Sequence, residues 1–139
     1  YGPWGRPDMF YLKFLNNIKN NKEVKIFNYG NHRRSFTYID DVIFNLFKII
    51  NKYKTKKTNI CDVFNIGNSE STSLSKLILV LENNLKKKAI KKYVKKQLGD
   101  LNITKANIKR EKKIFNHQIK VPLNEGIRKL INWHNSYYK

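Results

Sequence analysis

Twelve residues constrain this chain more than any others: Gly30-Asn31-His32-Arg33-Arg34-Ser35-Phe36-Thr37-Tyr38-Ile39-Asp40-Asp41. The alternating Val24-Lys25-Ile26-Phe27 reads as a strand, Asn28-Tyr29-Gly30-Asn31 as a turn, and Ser35 to Ile39 as a returning strand. Asp40-Asp41 then starts a helix from about Val42 to Lys52, with Ile43, Leu46, Phe47 and Ile50 expected to face inward. Such a frame can aim an arginine. A guanidinium is a planar fork of donors that matches a phosphate or a carboxylate, so Arg34, with Phe36 and Tyr38 able to wall a pocket around a flat ring, suggests an anionic ligand. The aspartate pair is expected to cap its helix and not to catalyse. Amides at a helix start lower a carboxylate's pKa, the wrong direction for a general acid.

The rest of the chain fits around this segment. Tyr1 to Arg6 is a loop, Pro7-Asp8 starts a helix with the stripe Phe10, Phe14, Leu15 and Ile18, and Arg6 stands at the junction. Asp62 to Gly67 reads as a short buried strand. Ser69 to Ser73 caps a helix from Leu74 to Lys86 whose core stripe is Leu74, Leu77, Ile78, Leu81 and Leu85. Lys86 to Lys96 is an exposed strand, Gln97 to Thr104 a loop, Lys105 to Lys112 a short helix and Phe115 to Lys120 a loop with an extended stretch. Pro122 to Tyr137 closes the chain as an amphipathic helix packing Leu123, Ile127, Leu130, Ile131 and Trp133. The expected class is α/β, a small mixed sheet with about four helices, as one domain over residues 1–139.

At 139 residues the chain can bury roughly two thirds of its unfolded surface without disulfides. The single Cys61 allows no internal disulfide, and His32, His117 and His134 share no spacing suggesting a triad or a metal, so a reducing compartment, the cytoplasm, is expected. No apolar run reaches membrane-spanning length. A net charge of +19 would ordinarily suggest nucleic acid or an anionic membrane. Here the basic residues are mostly Lys and travel with abundant Asn and Ile, the signature of codon bias, so neither partner is expected. Tyr53-Lys54-Thr55-Lys56-Lys57 contains a Tyr-x-x-x-Lys, but in a chain so rich in both residues it is expected by chance and is rejected as a catalytic pair.

Two motifs carry a resemblance. Gly30 to Asp41 is similar to the G-x-x-x-R-[DS]-F-T-Y-I-D-D segment in the C-terminal lobe of extended short-chain dehydrogenase/reductases, the nucleotide-sugar epimerases and dehydratases. Tyr1-Gly2-Pro3-Trp4-Gly5-Arg6-Pro7-Asp8-Met9 resembles the YGPWGRPDM of UDP-glucuronate 4-epimerases in particular. The pattern continues through Phe64 to Ser69, Gly99-Asp100-Leu101 with Thr104, and the helix from Glu125 to Trp133. The resemblance implies a substrate-binding lobe whose nucleotide-binding partner, with its NAD site and catalytic Tyr/Lys pair, would precede Tyr1. These residues alone would then be inactive, with no catalytic residue of their own, and the complete enzyme a homodimer.

On the matched positions the resemblance implies that Arg34 binds the pyrophosphate of a UDP-sugar and Phe36 lies near the nucleoside. Lys25 and Phe27 would offer backbone groups to uracil, Asp100 would accept from the ribose hydroxyls with Gln97 nearby, and Arg6 would face the C6 carboxylate. A bidentate Arg6 could hold that carboxylate out of line with the carbonyl of a 4-keto intermediate and so prevent loss of carbon dioxide. Ser35 stands where many relatives have Asp, Leu98 replaces the proline of Q-P-G-D, Asn107 replaces an aspartate and Asn116 a glycine. Other readings are a different UDP-sugar epimerase, dehydratase or decarboxylase of the same family, a stand-alone nucleotide-sugar-binding module, and, more distantly, a basic nucleic-acid binder.

Overall fold

The computed structural model describes residues 1–54 and 61–138. Three helices make the core: α1 (Phe10–Lys19), a second from Leu74 to Leu85 and a third from Leu123 to Tyr137. Their apolar stripes meet at Leu15, Ile18, Leu77, Leu81, Ile127 and Leu130, all essentially inaccessible to water. Tyr1 locks the loop before α1 onto this core. Its ring packs so tightly on Gly126 that a Cβ there would collide with the Tyr1 hydroxyl, and its backbone nitrogen donates to the Thr37 carbonyl at 2.7 Å.

β1 (Glu23–Phe27) follows α1 and buries Val24 and Ile26 against the core while Glu23 and Lys25 face outward, the alternation expected of a half-buried strand. After a 3-10 turn over Asn28–Gly30 comes β2, only Arg33–Arg34, and then α2 (Ile39–Tyr53). β3 (Thr72–Ser73) pairs antiparallel with β2 and leads into α3, the helix Leu74–Leu85, whose expected cap is present: the Ser73 hydroxyl accepts the Lys76 N–H. β4 (Ile90–Val94) returns parallel to β1, with Glu23 opposite Ile90 and Phe27 opposite Val94. α4 (Lys109–Phe115) and α5, the helix Leu123–Tyr137, complete the chain. The α/β class stands, the described residues forming five α-helices with a parallel and an antiparallel pair of strands. Among the described residues no helix is long and apolar enough to cross a membrane.

Several local expectations are corrected. The returning strand is Arg33–Arg34 and not Ser35 to Ile39. Past Arg34 the chain bonds through side chains to another loop, as where Ser35 Oγ donates to the Asn68 carbonyl at 2.6 Å. α1 begins at Phe10, because Pro7-Asp8-Met9 is a turn closed by Met9 N–H to the Arg6 carbonyl. The short helix lies at Lys109–Phe115, later than expected. Asp62 to Gly67 runs extended without a strand partner among the described residues; its amides bond to side chains instead, Asn65 N–H to Glu111 and Gly67 N–H to His117. Of the Tyr-x-x-x-Lys spelling, Tyr53 ends α2 and Lys57 lies outside the described residues.

The largest correction concerns α2. It starts at Ile39, so Asp40 and Asp41 sit in its first turn and neither caps it. Its buried residues are polar. Asp41 accepts the N–H groups of Lys120 and Val121 at 2.9 and 3.2 Å, and Asn45 both donates to the Gln118 carbonyl and accepts its N–H, at 2.7 and 3.0 Å. The irregular stretch before α5 has backbone groups that must be satisfied, and α2 turns its polar side to satisfy them. Ile39, Ile43, Leu46, Phe47 and Ile50, one stripe at helical spacing, are therefore outward, each 40 to 60% exposed.

Glu82, on α3, fastens β4. Its buried carboxylate accepts the Ala89 N–H at 2.9 Å and pairs with Lys91 at 3.0 Å. Burial raises its pKa, but the Ala89 amide and Lys91 together outweigh burial and hold it below the ordinary carboxylate value. A depressed folded-state pKa gives stability that is present above the unfolded value of 4.5 and lost as pH falls through the folded one. Acid denaturation of Glu82→Gln is accordingly expected to show a flatter limb below pH 4.5 than the unaltered chain, and parallel limbs would contradict it.

Candidate nucleotide-binding site

A cavity of about 490 Å³ opens between β1, α1 and the loop that follows β4. Glu23, Lys25 and Phe27, alternate residues on one face of β1, form one wall; Phe10, Phe14 and Asn17 of α1 form another; His32, Arg34, Gln97 and Asp100 close the end. Five of the seven residues expected to contact a ligand thus line one space: Lys25, Phe27, Arg34, Gln97 and Asp100.

Arg34 is held before any ligand arrives. Its Nη1 donates to the carbonyls of Leu101 at 2.7 Å and Arg33 at 3.1 Å, while Nη2 lies 3.4 Å from Asp100 Oδ1. The guanidinium is anchored through Nη1, and Arg34 lines the cavity with Nη2 beside Asp100, where a cationic donor can meet an anion. The backbone beside it fixes the facing loop: Arg33 N–H bonds to the Asn102 carbonyl at 2.8 Å, and Thr104 N–H returns to the Arg33 carbonyl at 3.1 Å. Gln97-Leu98-Gly99-Asp100 is a turn closed by Asp100 N–H to the Gln97 carbonyl, with Gly99 at φ +82°. Glycine supplies that conformation cheaply, and the position before it favours proline without requiring it, so the turn that presents Asp100 survives with Leu98 there.

Two expected residues lie elsewhere. Phe36 does not line this cavity. Its ring packs edge-on against Tyr1 and Phe10, centroids 5.9 and 5.8 Å apart, which sets it one ring behind the Phe10 wall. Arg6 is at the surface, its Nε and Nη2 both donating to Asp8 at 2.9 Å, and that hydrogen bond raises its pKa. Asp8 itself lines the cavity mouth, so Arg6 stands beside the opening and not in the pocket.

One residue was missed by sequence reasoning. His32 is buried in the cavity wall with Nδ1 3.6 Å from Asp100 Oδ2. The signal was present: His32 and Arg34 are alternate residues at the start of a strand and so share a side of the chain.

The chain is similar to known proteins along nearly its whole length. Residues 1–67 match the NAD dependent epimerase/dehydratase family. An uncharacterized protein of Methanocaldococcus jannaschii is 41% identical over 96% of this chain, and UDP-glucuronate 4-epimerase 4 of Arabidopsis thaliana 36% identical over 99%. The fold matches UDP-glucuronic acid 4-epimerase from Bacillus cereus, solved in complex with UDP-glucuronic acid and NAD, with a TM-score of 0.86 and 31% identity over 99% of this chain. The chain is thus similar to the C-terminal part of proteins of the NAD dependent epimerase/dehydratase family. It spans 39% and 34% of the length of those two relatives and 43% of the solved epimerase, in their C-terminal part.

Within the family pattern the departures have local explanations. Ser35 stands in place of a carboxylate, and its hydroxyl donates to the Asn68 carbonyl, a bond an ionised aspartate could not make. Asn116 stands at the left-handed end of α4, φ 54° and ψ 56°, a conformation that asparagine tolerates best after glycine. The Asn107 carbonyl accepts from Asn65 Nδ2 at 3.0 Å, so the position ties the extended 62–67 segment to the start of α4. None of these replacements touches the cavity.

Proposed function

We propose that this chain forms the nucleotide-sugar-binding part of an NAD-dependent epimerase that interconverts UDP-glucuronate and UDP-galacturonate. The observation that carries the reading is the pre-anchored Arg34 guanidinium beside Asp100 at the end of a cavity walled by β1. In it Arg34 takes the diphosphate, Asp100 with Gln97 the ribose, and the Lys25–Phe27 face of β1 the uracil. Arg6 takes the sugar carboxylate. Its pair with Asp8 is an exposed ion pair, which holds weakly in water, and a substrate carboxylate can replace Asp8 in the same fork. Phe36 contributes by backing Phe10.

NAD does not fit within these residues. The six glycines, Gly2, Gly5, Gly30, Gly67, Gly99 and Gly126, never take the G-x-G-x-x-G spacing that lets a backbone approach a pyrophosphate at a helix start. The dinucleotide of this family's chemistry would be held outside them, and this chain alone is expected to turn over nothing.

Calorimetric titration tests the reading. The chain should bind UDP, and UDP-glucuronate more tightly than UDP-glucose, because only the uronate offers Arg6 a carboxylate. Arg6→Ser should cut the uronate's advantage, about tenfold for one charge-assisted contact at the surface, and leave UDP itself unchanged. An unaltered chain that binds no UDP defeats the nucleotide assignment; an Arg6 variant that keeps the advantage defeats the uronate assignment alone. Epimerisation by the purified chain with added NAD would overturn the expected inactivity.

A further inference from the structure

Asp100 lies between two partners. Arg34 Nη2 approaches Oδ1 at 3.4 Å, and His32 Nδ1 approaches Oδ2 at 3.6 Å, just beyond hydrogen-bond length. The carboxylate is therefore shared between a guanidinium on one oxygen and an imidazole on the other. His32 is the buried member, its side chain 2% exposed, and Asp100 stands at the edge with its own side chain 37% exposed.

The ring's chemistry follows from its surroundings. Burial holds the imidazole below its ordinary pKa; Asp100 pulls it back up, and Arg34 and Lys96 push it down. A neutral imidazole carries one N–H. Facing a carboxylate, that proton must sit on Nδ1, because a lone pair there would oppose the charge. Nε2 is then a buried lone pair, and it has no hydrogen-bond partner among the described residues. A buried ring kept in one tautomer with one nitrogen left unsatisfied is an unfavourable core filler. It makes sense if the Nδ1–H has a task.

Resting on the nucleotide reading above, we propose that His32 is the positioning residue for Asp100: it holds the carboxylate when a diphosphate draws the Arg34 fork away, so that Asp100 stays oriented toward the ribose hydroxyls. Without it, the carboxylate that Arg34 released would swing into solvent, and the anion contact and the ribose contact would compete for one partner. With it, the two subsites fill together. His32 touches no substrate atom in this scheme and acts through Asp100.

The test compares UDP with 2′-deoxy-UDP and with inorganic pyrophosphate, titrated into the chain. The unaltered chain should prefer UDP to the deoxy compound by about tenfold, one hydrogen bond to a charged acceptor. His32→Phe, which fills the volume without a donor, should abolish that preference and leave pyrophosphate affinity in place. His32→Asn, which can place an N–H near Asp100, should recover part of it. Thermal unfolding of each variant separates loss of fold from loss of positioning. Nitrogen NMR of the unaltered chain needs no variant: with UDP bound, His32 should carry its proton on Nδ1. Retention of the ribose preference in folded His32→Phe, or an Nε2-protonated ring in the complex, overturns the inference while the nucleotide site stands. Failure of the unaltered chain to bind UDP overturns both.

Discussion

Replacing Arg34 by alanine is expected to abolish measurable UDP binding and to release the loop that carries Asp100. The first effect follows from losing a charge-assisted, two-pronged contact, about 2 to 3 kcal/mol or roughly a hundredfold in affinity. The second follows from the anchors. The same guanidinium holds the Leu101 and Arg33 carbonyls and flanks Asp100, so its removal should delete the proposed pyrophosphate contact and loosen the proposed ribose contact together. Arg34→Lys keeps the charge and loses the fork, and should recover only a small part. Calorimetry measures the affinity and hydrogen exchange across residues 99–104 measures the loop. The backbone bonds between Arg33 and residues 102 and 104 remain, so exchange should quicken most at residues 99–101. UDP binding unchanged in Arg34→Ala would remove this cavity from consideration as the nucleotide site.

Asp41→Ala should destabilise the fold more than any other exchange of an acidic residue. Both carboxylate oxygens are committed to the amides of Lys120 and Val121, and the residue is 1% exposed. Truncation strands two amides where water cannot easily reach them, a cost of about 2 to 4 kcal/mol. Its neighbour is an internal control. Asp40 faces solvent 3.5 Å from Lys129, and Asp40→Ala should change stability by less than about 0.5 kcal/mol. Urea unfolding of the two variants side by side gives the comparison. Equal midpoints would mean that the stretch before α5 is held by its apolar contacts and not by α2.

The candidate site was legible in the sequence where chemistry is local. Arg34 could be picked out because a strand-turn-strand frame and a flat donor fork are both visible in consecutive residues, whereas Asp100 and Gln97 were named only by the resemblance. Lys25 and Phe27 were named by the resemblance, strand alternation adding only that they share a face, and α3 with its Ser73 cap followed from helical spacing. The misreadings share a cause, in that each needed knowledge of what lies opposite. Ile43, Leu46, Phe47 and Ile50 have the periodicity of a buried face, yet the decisive partner was the backbone at residues 118–121, which only a polar face can satisfy. Val63, Phe64 and Ile66 have strand propensity, yet no described strand lies beside them and α4 supplies side chains in its place. Phe36 sits close to Arg34 in sequence and was assigned to the same pocket, whereas the end of β2 sends it toward Tyr1. Strand length, not composition, decided that.

The parallel pairing of β1 with β4 also bears on the order in which the molecule assembles. β1 follows α1 by three residues and β4 follows α3 by four, so Glu23 meets Ile90 cheaply only once α1 has packed on α3; until then closing the intervening chain carries an entropic cost that local contacts do not recover. β4 offers little in return, since four of its five residues stay exposed and Glu82 is its main tether. The helical core should therefore nucleate first and the two-stranded sheet close late, which makes the Lys25–Phe27 wall and the Asp100 turn among the last parts of the chain to become native and the first to open.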